Sequence, residues 1–456
     1  MNTDSNLLAV INSRCMKRNS IIIFSVILVL SGCKGKDKEY TNVFNNPLLF
    51  SKTVKELNNV VKQNNFPPII ASRNYTYACI AAYEVMVLGD SRFQSLAGQI
   101  KHLPVVPQQD TINVNFQYAA LLAFCKLGEA VTFPEGSMKY YVKTLDSIAT
   151  ASGMSSAMKK ATRQLADSVG NHILRWSKMD NYTQTRTGER YNITEEEGRW
   201  VPTPPAYAQA LEPHWKEIRP MVMDSGNQFI PPRPPAFSMT DKSSKFYQEV
   251  MAVKNAGDSL TDEQKHIAEF WDDLGNRTIV EGHVMFTAKK FSPPGHWMNI
   301  VGIAAQKANA DFSTTVYAYA KTAIASFDAF IQCWDEKYRS NVVRPETVIN
   351  KYIDSEWRPY LQTPPFPEYT CGHSTVSSAA AEALTDVFGD NFVYTDTSEL
   401  EFGIKNRSFT SFRQAAIENN WARFYGGIHF HNSCLISTEY GKKVGDLVNQ
   451  KLRMKK

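Results

Sequence analysis

The stretch YACIAAYEVM at residues 77–86 indicates the fold class of this 456-residue chain. Small and apolar side chains fill almost every position, which is typical of a helix that is packed tightly on several sides. FQYAALLAF at residues 116–124 is likewise rich in small and apolar residues. Residues 137–177 repeat apolar positions every three to four residues. Because no segment shows clear strand alternation, we expect an all-α fold. Further helical patterns lie at 241–276, 298–334, 373–388, 409–425 and 435–453.

The composition supports a globular protein: 43% of the residues are hydrophobic and 21% are charged. These fractions exclude collagen-like and disordered chains. The formal net charge is only +5, and Lys and Arg are scattered along the sequence. A nucleic-acid-binding protein needs a basic stripe, so nucleic acid is excluded as a partner.

Proline separates two helical regions. The segment 181–240 holds many prolines, including the run PPRPP at 231–235, and proline excludes long helices. The predicted organisation is a signal peptide at 1–32, a polar tether at 33–50, an N-terminal helical region at 51–180, an irregular connection at 181–240 and a C-terminal helical core at 241–456.

The N-terminus has the features of an export signal. The apolar run IIIFSVILVL at 21–30 is too short to span a bilayer, which takes about 20 residues, and basic residues precede it. The sequence LSGC at 30–33 resembles the lipobox of bacterial lipoproteins, in which the cysteine is lipidated. We therefore expect an exported protein that is anchored to the bacterial cell envelope by a lipid on Cys33, so that the membrane is its partner. The alternative is a plain secretory signal.

The cysteines do not form a recognisable framework. Of the seven, two lie in the leader region, and the remaining five show no close CxxC spacing. The cysteine spacing therefore does not predict a structural zinc site, and it excludes a dense set of disulfides, although the count allows one disulfide. No clustering of histidines and carboxylates predicts a conventional metal site.

Three C-terminal segments concentrate polar residues of the kind that bind oxyanions: KYRSNVVRP at 337–345, PPFPEYTCGHS at 364–374 and ARFYGGIHFH at 422–431. Lys337 and Arg344 can direct two cationic groups at one anion. Gly372 lies where a helix begins, so its N–H can face an anion. With two histidines nearby, the set suits phosphoryl chemistry, in which one histidine is the nucleophile and the other is the general acid.

Together these segments resemble the signature of the type 2 phosphatidic acid phosphatase and vanadium-dependent haloperoxidase superfamily: K-x6-R-P, then P-S-G-H, then S-R-x5-H-x3-D. PGHW at 294–297, FDAF at 327–330 and RNY at 73–75 are similar to the haloperoxidase-related branch. The resemblance implies an all-helical fold of two packed bundles, with the oxyanion site inside the C-terminal bundle.

The resemblance also implies a role for each matching residue. His429 would be the nucleophile towards phosphorus or the axial ligand of vanadium, and His373 would be the general acid or base. The residues that would bind the oxyanion are Lys337, Arg344, Cys371, Gly372 and Arg423. His296 and Trp297 are candidates for the mouth of the pocket.

Three positions depart from the family pattern. Cys371 replaces a serine that binds the oxyanion, and a thiol is a poor donor. Ala422 replaces the serine before the second arginine. Ser433 replaces the aspartate that orients the nucleophilic histidine. Glu439 is a candidate to take over that last role.

Three functions are compatible with this site. The favoured interpretation is hydrolysis of a small phosphate ester through a phospho-histidine, without a cofactor. The alternative is oxidation of a halide by hydrogen peroxide, with vanadate as cofactor. Oxidation of the Cys371 thiol by peroxide argues for hydrolysis, whereas the surrounding motifs favour the haloperoxidase branch. The third interpretation, oxyanion binding without turnover, follows from the three replacements.

Overall fold

The computed structural model describes residues 39–456 apart from 275, 276, 282 and 288. Fifteen α-helices and two 3-10 helices, Trp215–Glu217 and Ser398–Phe402, carry this part of the chain. The α-helices are α1 Glu39–Phe44, α2 Pro47–Gln63, α3 Pro68–Gly89, α4 Phe116–Ala130, α5 Lys139–Ala151, α6 Ser156–Ser177, α7 Tyr182–Thr185, α8 Lys245–Gly257, α9 Asp262–Phe270, α10 Pro293–Lys307, α11 Phe312–Ser340, α12 Pro345–Tyr352, α13 Gly372–Phe388, α14 Phe412–Tyr425 and α15 His431–Lys451.

The helices form two packed bundles, which confirms the all-α prediction. Helix α3 is buried on all sides from its start through Met86, because its small side chains let α4, α6 and α11 approach closely. Helix α11 crosses from this group to the C-terminal one, where it packs against α13 and α15. At Gly441 a Cβ atom would lie 2.1 Å from the carbonyl oxygen of Thr375, so only glycine permits this approach of α15 to α13.

Four short strands form two antiparallel ribbons that the sequence did not reveal. Strand β1 (Thr278–Glu281) pairs with β2 (Val284–Thr287), and β3 (Tyr394–Asp396) pairs with β4 (Arg407–Phe409). Three or four residues are too few to show an alternating pattern. In β2, moreover, the apolar residues Val284, Met285 and Phe286 are all exposed.

The predicted tether is too long. Helix α1 begins at Glu39, and Phe44 and Phe50 are fully buried in the core. These two aromatic side chains anchor a segment whose polar residues suggested a free linker. The signal peptide at 1–32 and the lipidation site Cys33 lie outside the described residues. Among the described helices, none is long and apolar enough to cross a membrane.

The proline-rich segment 181–240 has little regular structure beyond α7 and one short 3-10 helix. It is nevertheless held firmly against α11. The buried carboxylate of Asp328 accepts hydrogen bonds from the backbone N–H groups of Met221, Val222 and Met223, at 2.6, 2.8 and 2.9 Å. One side chain of α11 therefore satisfies three backbone donors that no helix or strand could pair.

Candidate active site

Five neighbouring elements bring the predicted oxyanion-binding residues together. Lys337 lies in the last turn of α11, and Arg344 precedes α12. Cys371 and Gly372 stand at the start of α13. Helix α14 contributes Arg423 from its last turn, and His429 follows in the loop before α15. All of these residues are buried, and His373 is half-buried.

The loop before α13 orients two of the cations. Lys337 Nζ donates to the carbonyl oxygens of Pro367 and Glu368, at 2.8 and 3.0 Å. Arg344 Nε donates to the carbonyl oxygen of Phe366 at 2.9 Å. The ring of Phe366 lies beneath both charged groups, 4.9 Å from Lys337 Nζ and 5.0 Å from the guanidinium carbon of Arg344. These contacts fix the direction of both side chains.

Three nitrogen atoms at this site have no partner among the described residues. They are Nη2 of Arg344, Nε of Arg423 and Nε2 of His373, and all three atoms are buried. Arg423 is fixed by a 2.7 Å bond from its Nη1 to the carbonyl oxygen of Trp271. The first N–H groups of α13 also lack partners within the helix. Because buried donors are normally paired, the arginine and backbone N–H groups fit phosphate or vanadate, whose oxygens would accept from them.

His429 is backed by a carboxylate that sequence reasoning did not assign. Its Nδ1 lies 2.7 Å from Oε1 of Glu368, which also accepts from the backbone N–H of Phe430 at 3.2 Å. The expectation for Glu439 was wrong: that side chain is exposed and pairs with Lys443. The sequence did place Glu368 in the second polar segment, at 364–374. The spacing of residues alone could not show that its side chain contacts His429.

The other ring nitrogen of His429 faces the cations. Its Nε2 accepts from Nη1 of Arg344 at 3.1 Å, and the same Nη1 donates to the carbonyl oxygen of Ile428 at 2.8 Å. Glu368 therefore holds the far side of the imidazole and leaves Nε2 directed at the oxyanion site.

Burial sets the charge states around the site. It lowers the pKa of Lys337 to about 8 and that of Arg344 to about 10, so Arg344 keeps its charge at neutral pH. Burial, together with the nearby charge of Arg423, lowers the pKa of His373 well below its ordinary value. His373 is thus a neutral imidazole that can accept a proton.

The replacements at 371, 422 and 433 are all buried. The Cys371 thiol lies beside His429 and the Cys434 thiol. Burial alone would raise the pKa of Cys371, but the hydrogen bond from Cys434 and the proximity of His429 lower it well below its ordinary value. Ser433 lines a cavity of about 20 Å³ with Glu368 and Phe430, and its hydroxyl has no partner within the described chain. Cys79, Cys125, Cys333, Cys371 and Cys434 are free thiols in the structure.

His296 and Trp297 do not lie at a pocket mouth, because both are fully buried. Trp297 donates to Ser377 Oγ at 2.8 Å. His296 lies between Asp273 and Asp396, 2.9 Å from an oxygen of each. Burial would lower the pKa of His296, but the two carboxylates raise it well above its ordinary value. A histidine after a Pro-Pro-Gly turn suggested a loop position, whereas these residues form the first turn of α10.

Buried cations, a helix N-terminus and a carboxylate-backed histidine together form a candidate oxyanion-binding site inside a helical bundle. The sequence profile of the VCPO second helical-bundle domain matches residues 317–455, which include α11 to α15 apart from the start of α11. A crystal structure described as the first bacterial vanadium-dependent iodoperoxidase is 41% identical, with a TM-score of 0.84, over 90% of this chain and 97% of that chain. The chain belongs to the vanadium-dependent haloperoxidase family, and it is an enzyme.

More distant structures share the fold. A holo-type bacterial vanadium-dependent chloroperoxidase is 18% identical, with a TM-score of 0.62, over 85% of this chain and 92% of that chain. Its apo-type form is also 18% identical, with a TM-score of 0.63, over 85% and 94%. No curated protein sequence is significantly similar to this chain.

Proposed function

We propose that this protein is a vanadium-dependent haloperoxidase that oxidises halide with hydrogen peroxide, and that iodide is its principal halide. The observation that carries the proposal is the set of unpaired buried nitrogen atoms on Arg344, Arg423 and His373. Arg344 also contacts Nε2 of His429, at 3.1 Å. The 41% identity to an iodoperoxidase over nearly the whole chain supports this function over the phosphatase interpretation that the sequence favoured.

Different residues would bind different parts of vanadate. Lys337, Arg344 and Arg423 would balance its negative charge, and the N–H of Gly372 would donate to an oxygen. His429 would present Nε2, with Glu368 holding Nδ1. Nη2 of Arg344, which has no partner among the described residues, would donate to the oxyanion. When bound, vanadate supplies a Lewis-acid centre that activates peroxide towards a halide.

His373 is suited to moving the proton of the peroxide. Its Nε2 atom is buried, has no partner among the described residues and belongs to a ring that is neutral at neutral pH. A neutral imidazole with an unpaired nitrogen would accept the proton of the peroxide at Nε2 and would be able to return it later in the reaction. Burial of the surrounding cations excludes bulk water from this exchange.

Phosphate-ester hydrolysis is the second candidate, and the Cys371 thiol favours it. A thiol that lies beside His429 is exposed to any peroxide that enters the site, and peroxide converts thiolates to sulfenic and sulfinic acids. Hydrolysis would use the same residues, with His429 as nucleophile and His373 as general acid.

The deciding experiment measures both activities on one preparation of the purified protein. We expect triiodide formation from iodide and peroxide that requires added orthovanadate, exceeds the rates with bromide and chloride and disappears in His429→Ala. Turnover of p-nitrophenyl phosphate that vanadate inhibits, without halide oxidation, would instead establish the phosphatase. Absence of both activities with tight vanadate binding would contradict both candidates.

We also propose that the mature protein is lipid-anchored at Cys33 to the bacterial cell envelope. The basic residues before the apolar run at 21–30 and the sequence LSGC at 30–33 support this location. Labelled palmitate should be incorporated into the wild-type protein and not into Cys33→Ser. A wild-type product that is fully soluble and unlabelled would contradict the anchor.

A further inference from the structure

A second polar cluster lies behind the oxyanion site, on the other side of Trp271. It contains His296 from α10, Asp273 from the chain after α9, Asp396 from β3 and Glu399 from the second 3-10 helix, all at most 2% exposed. The indole of Trp271 stacks on the His296 ring, with centroids 4.8 Å apart. The cluster therefore joins three regions of the sequence: the chain after α9, the start of α10 and the segment 396–399.

Three of these side chains have the geometry of a ligand set. One nitrogen of His296 and one oxygen each of Asp273 and Glu399 lie within 4.8 Å of one another. Nδ1 of His296 is 2.9 Å from Asp273 Oδ1 and 3.9 Å from Glu399 Oε1. Its Nε2 is 2.9 Å from Oδ2 of Asp396. A carboxylate on the second nitrogen is the usual partner of a metal-bound histidine.

Glu399 is the independent sign that a ligand belongs here. Its side chain is 1% exposed, yet neither carboxylate oxygen has a hydrogen-bond partner among the described residues. The nearest cation, Lys290, is 3.5 Å from Oε2. Lys290 directs its hydrogen bonds to the carbonyl oxygens of Glu269 and Asp272 instead. A buried carboxylate without a partner is costly, and a cation at this position would remove the cost.

The charges around the cluster also favour a cation. Four buried carboxylates face it, from Asp396, Glu399 and the adjacent pair Asp272 and Asp273. The cations opposing them are His296 and Lys290, together with the half-exposed Arg277, which is 3.8 Å from Asp272. A histidine that binds a metal is neutral, which would leave Lys290 and Arg277 against four carboxylates, and a divalent ion would balance the remaining two negative charges.

We propose that Asp273, His296 and Glu399 bind a divalent first-row transition-metal ion, with Asp396 holding the second nitrogen of His296. One imidazole and two carboxylates suit zinc or a similar ion better than calcium or magnesium, which prefer oxygen ligands alone. The ion has a structural role: it ties α9, α10 and the β3 region together behind Trp271, whose carbonyl oxygen orients Arg423. This site is additional to the vanadate site and does not depend on the proposed halide chemistry.

The test uses the full-length protein after treatment with a chelator and without vanadate. Titration with Zn²⁺, followed by calorimetry, should show one tight equivalent. Asp273→Asn and Glu399→Gln should each weaken binding by about 10- to 100-fold. Glu401→Gln is the matched control, because Glu401 lies in the same 3-10 helix but pairs at the surface with Lys55 and Lys62. Its affinity should equal that of the wild type.

Two further measurements show whether a variant has lost metal binding or has misfolded, and whether the metal binds at this site or at the cysteine thiols. Without metal, Glu399→Gln should melt at or above the wild-type temperature, and Zn²⁺ should raise the melting temperature of the wild type alone. X-ray absorption of the zinc complex should show nitrogen and oxygen ligands at about 2.0–2.1 Å and no sulfur. Failure to bind Zn²⁺, unchanged binding in both variants or sulfur ligation would each overturn the proposal.

Discussion

Glu368 and His429 stand 61 residues apart in sequence, yet a 2.7 Å contact joins Oε1 of the first to Nδ1 of the second. Both residues are buried, and the contact fixes which nitrogen of His429 faces the cations. The carboxylate that the family pattern places after the histidine is here supplied by the loop before α13.

Glu368→Gln tests this contact directly. Losing the charge removes the stabilisation of the His429 tautomer that presents Nε2 to the oxyanion, so we expect vanadate affinity or turnover to fall about 10- to 100-fold. Glu439→Gln, at the exposed position that the sequence offered, should leave both unchanged. Equal effects of the two changes, measured by vanadate titration and steady-state kinetics, would show that Glu368 has no orienting role.

Moving the carboxylate should partly restore function. Glu368 and Ser433 line the same cavity of about 20 Å³, and Ser433 occupies the family's aspartate position. We expect Glu368→Gln combined with Ser433→Asp to recover part of the lost turnover. Ser433→Asp alone should lower the melting temperature, because it buries a second negative charge beside Glu368. If the double variant is no more active than Glu368→Gln, an aspartate at 433 does not reach His429.

The pH dependence of vanadate binding should depend on Lys337. Burial lowers its pKa to about 8, so its charge is present below that pH and lost above it. Affinity should therefore fall as the pH rises past 8, and Lys337→Arg, which keeps its charge, should remove this contribution. Vanadate's own protonation is common to all variants and cancels in the comparison. Lys321 is also buried on α11, so Lys321→Gln is the control and should retain the wild-type pH profile. Identical pH profiles for Lys337→Arg and the wild type would show that Lys337 does not cause the loss of affinity.

Replacing the unusual thiol should improve a peroxide-using enzyme. Cys371→Ser supplies a better donor to the oxyanion and removes an oxidisable group, so we expect higher turnover, by about tenfold for one charge-assisted hydrogen bond, and slower inactivation by peroxide. Cys125→Ser, in the N-terminal bundle, should change neither. The check is the time course of triiodide formation; an unaltered time course for Cys371→Ser would mean that residue 371 does not meet the oxyanion.

Asp328 should matter for stability alone. Asp328→Ala leaves three buried N–H groups unpaired, which should reduce the free energy of unfolding by on the order of 3 kcal/mol or more. Urea unfolding measures the loss, and Asp335→Ala, on the same helix but without these contacts, is the control. A loss no larger than in the control would show that segment 181–240 is held by other contacts.

The sequence predicted well what local chemistry determines. Small-residue runs such as that of α3 revealed the helices. The spacing of Lys337, Arg344 and His429 predicted that these residues lie close together, as they do in the structure. The sequence did not predict contacts between residues that are far apart in the chain. Glu368 and His429 lie in segments that each looked polar, but nothing in either segment specifies the other. The cluster around His296 was missed for the same reason, since three separate regions of the sequence build it. The segment around Phe44 was predicted to be a tether because two aromatic residues in a polar stretch do not produce a recognisable helical periodicity.

The backbone and side chains of residues 366–368 touch three partners at once: the lysine at the end of α11, the arginine before α12 and the histidine before α15. These three residues therefore position Lys337, Arg344 and His429 as one unit. A change in residues 366–368 would alter the positions of both cations and of His429 together, whereas a change elsewhere in the pocket would alter one contact at a time. Attempts to redirect the enzyme to new substrates should accordingly leave the triplet intact and vary the walls around it.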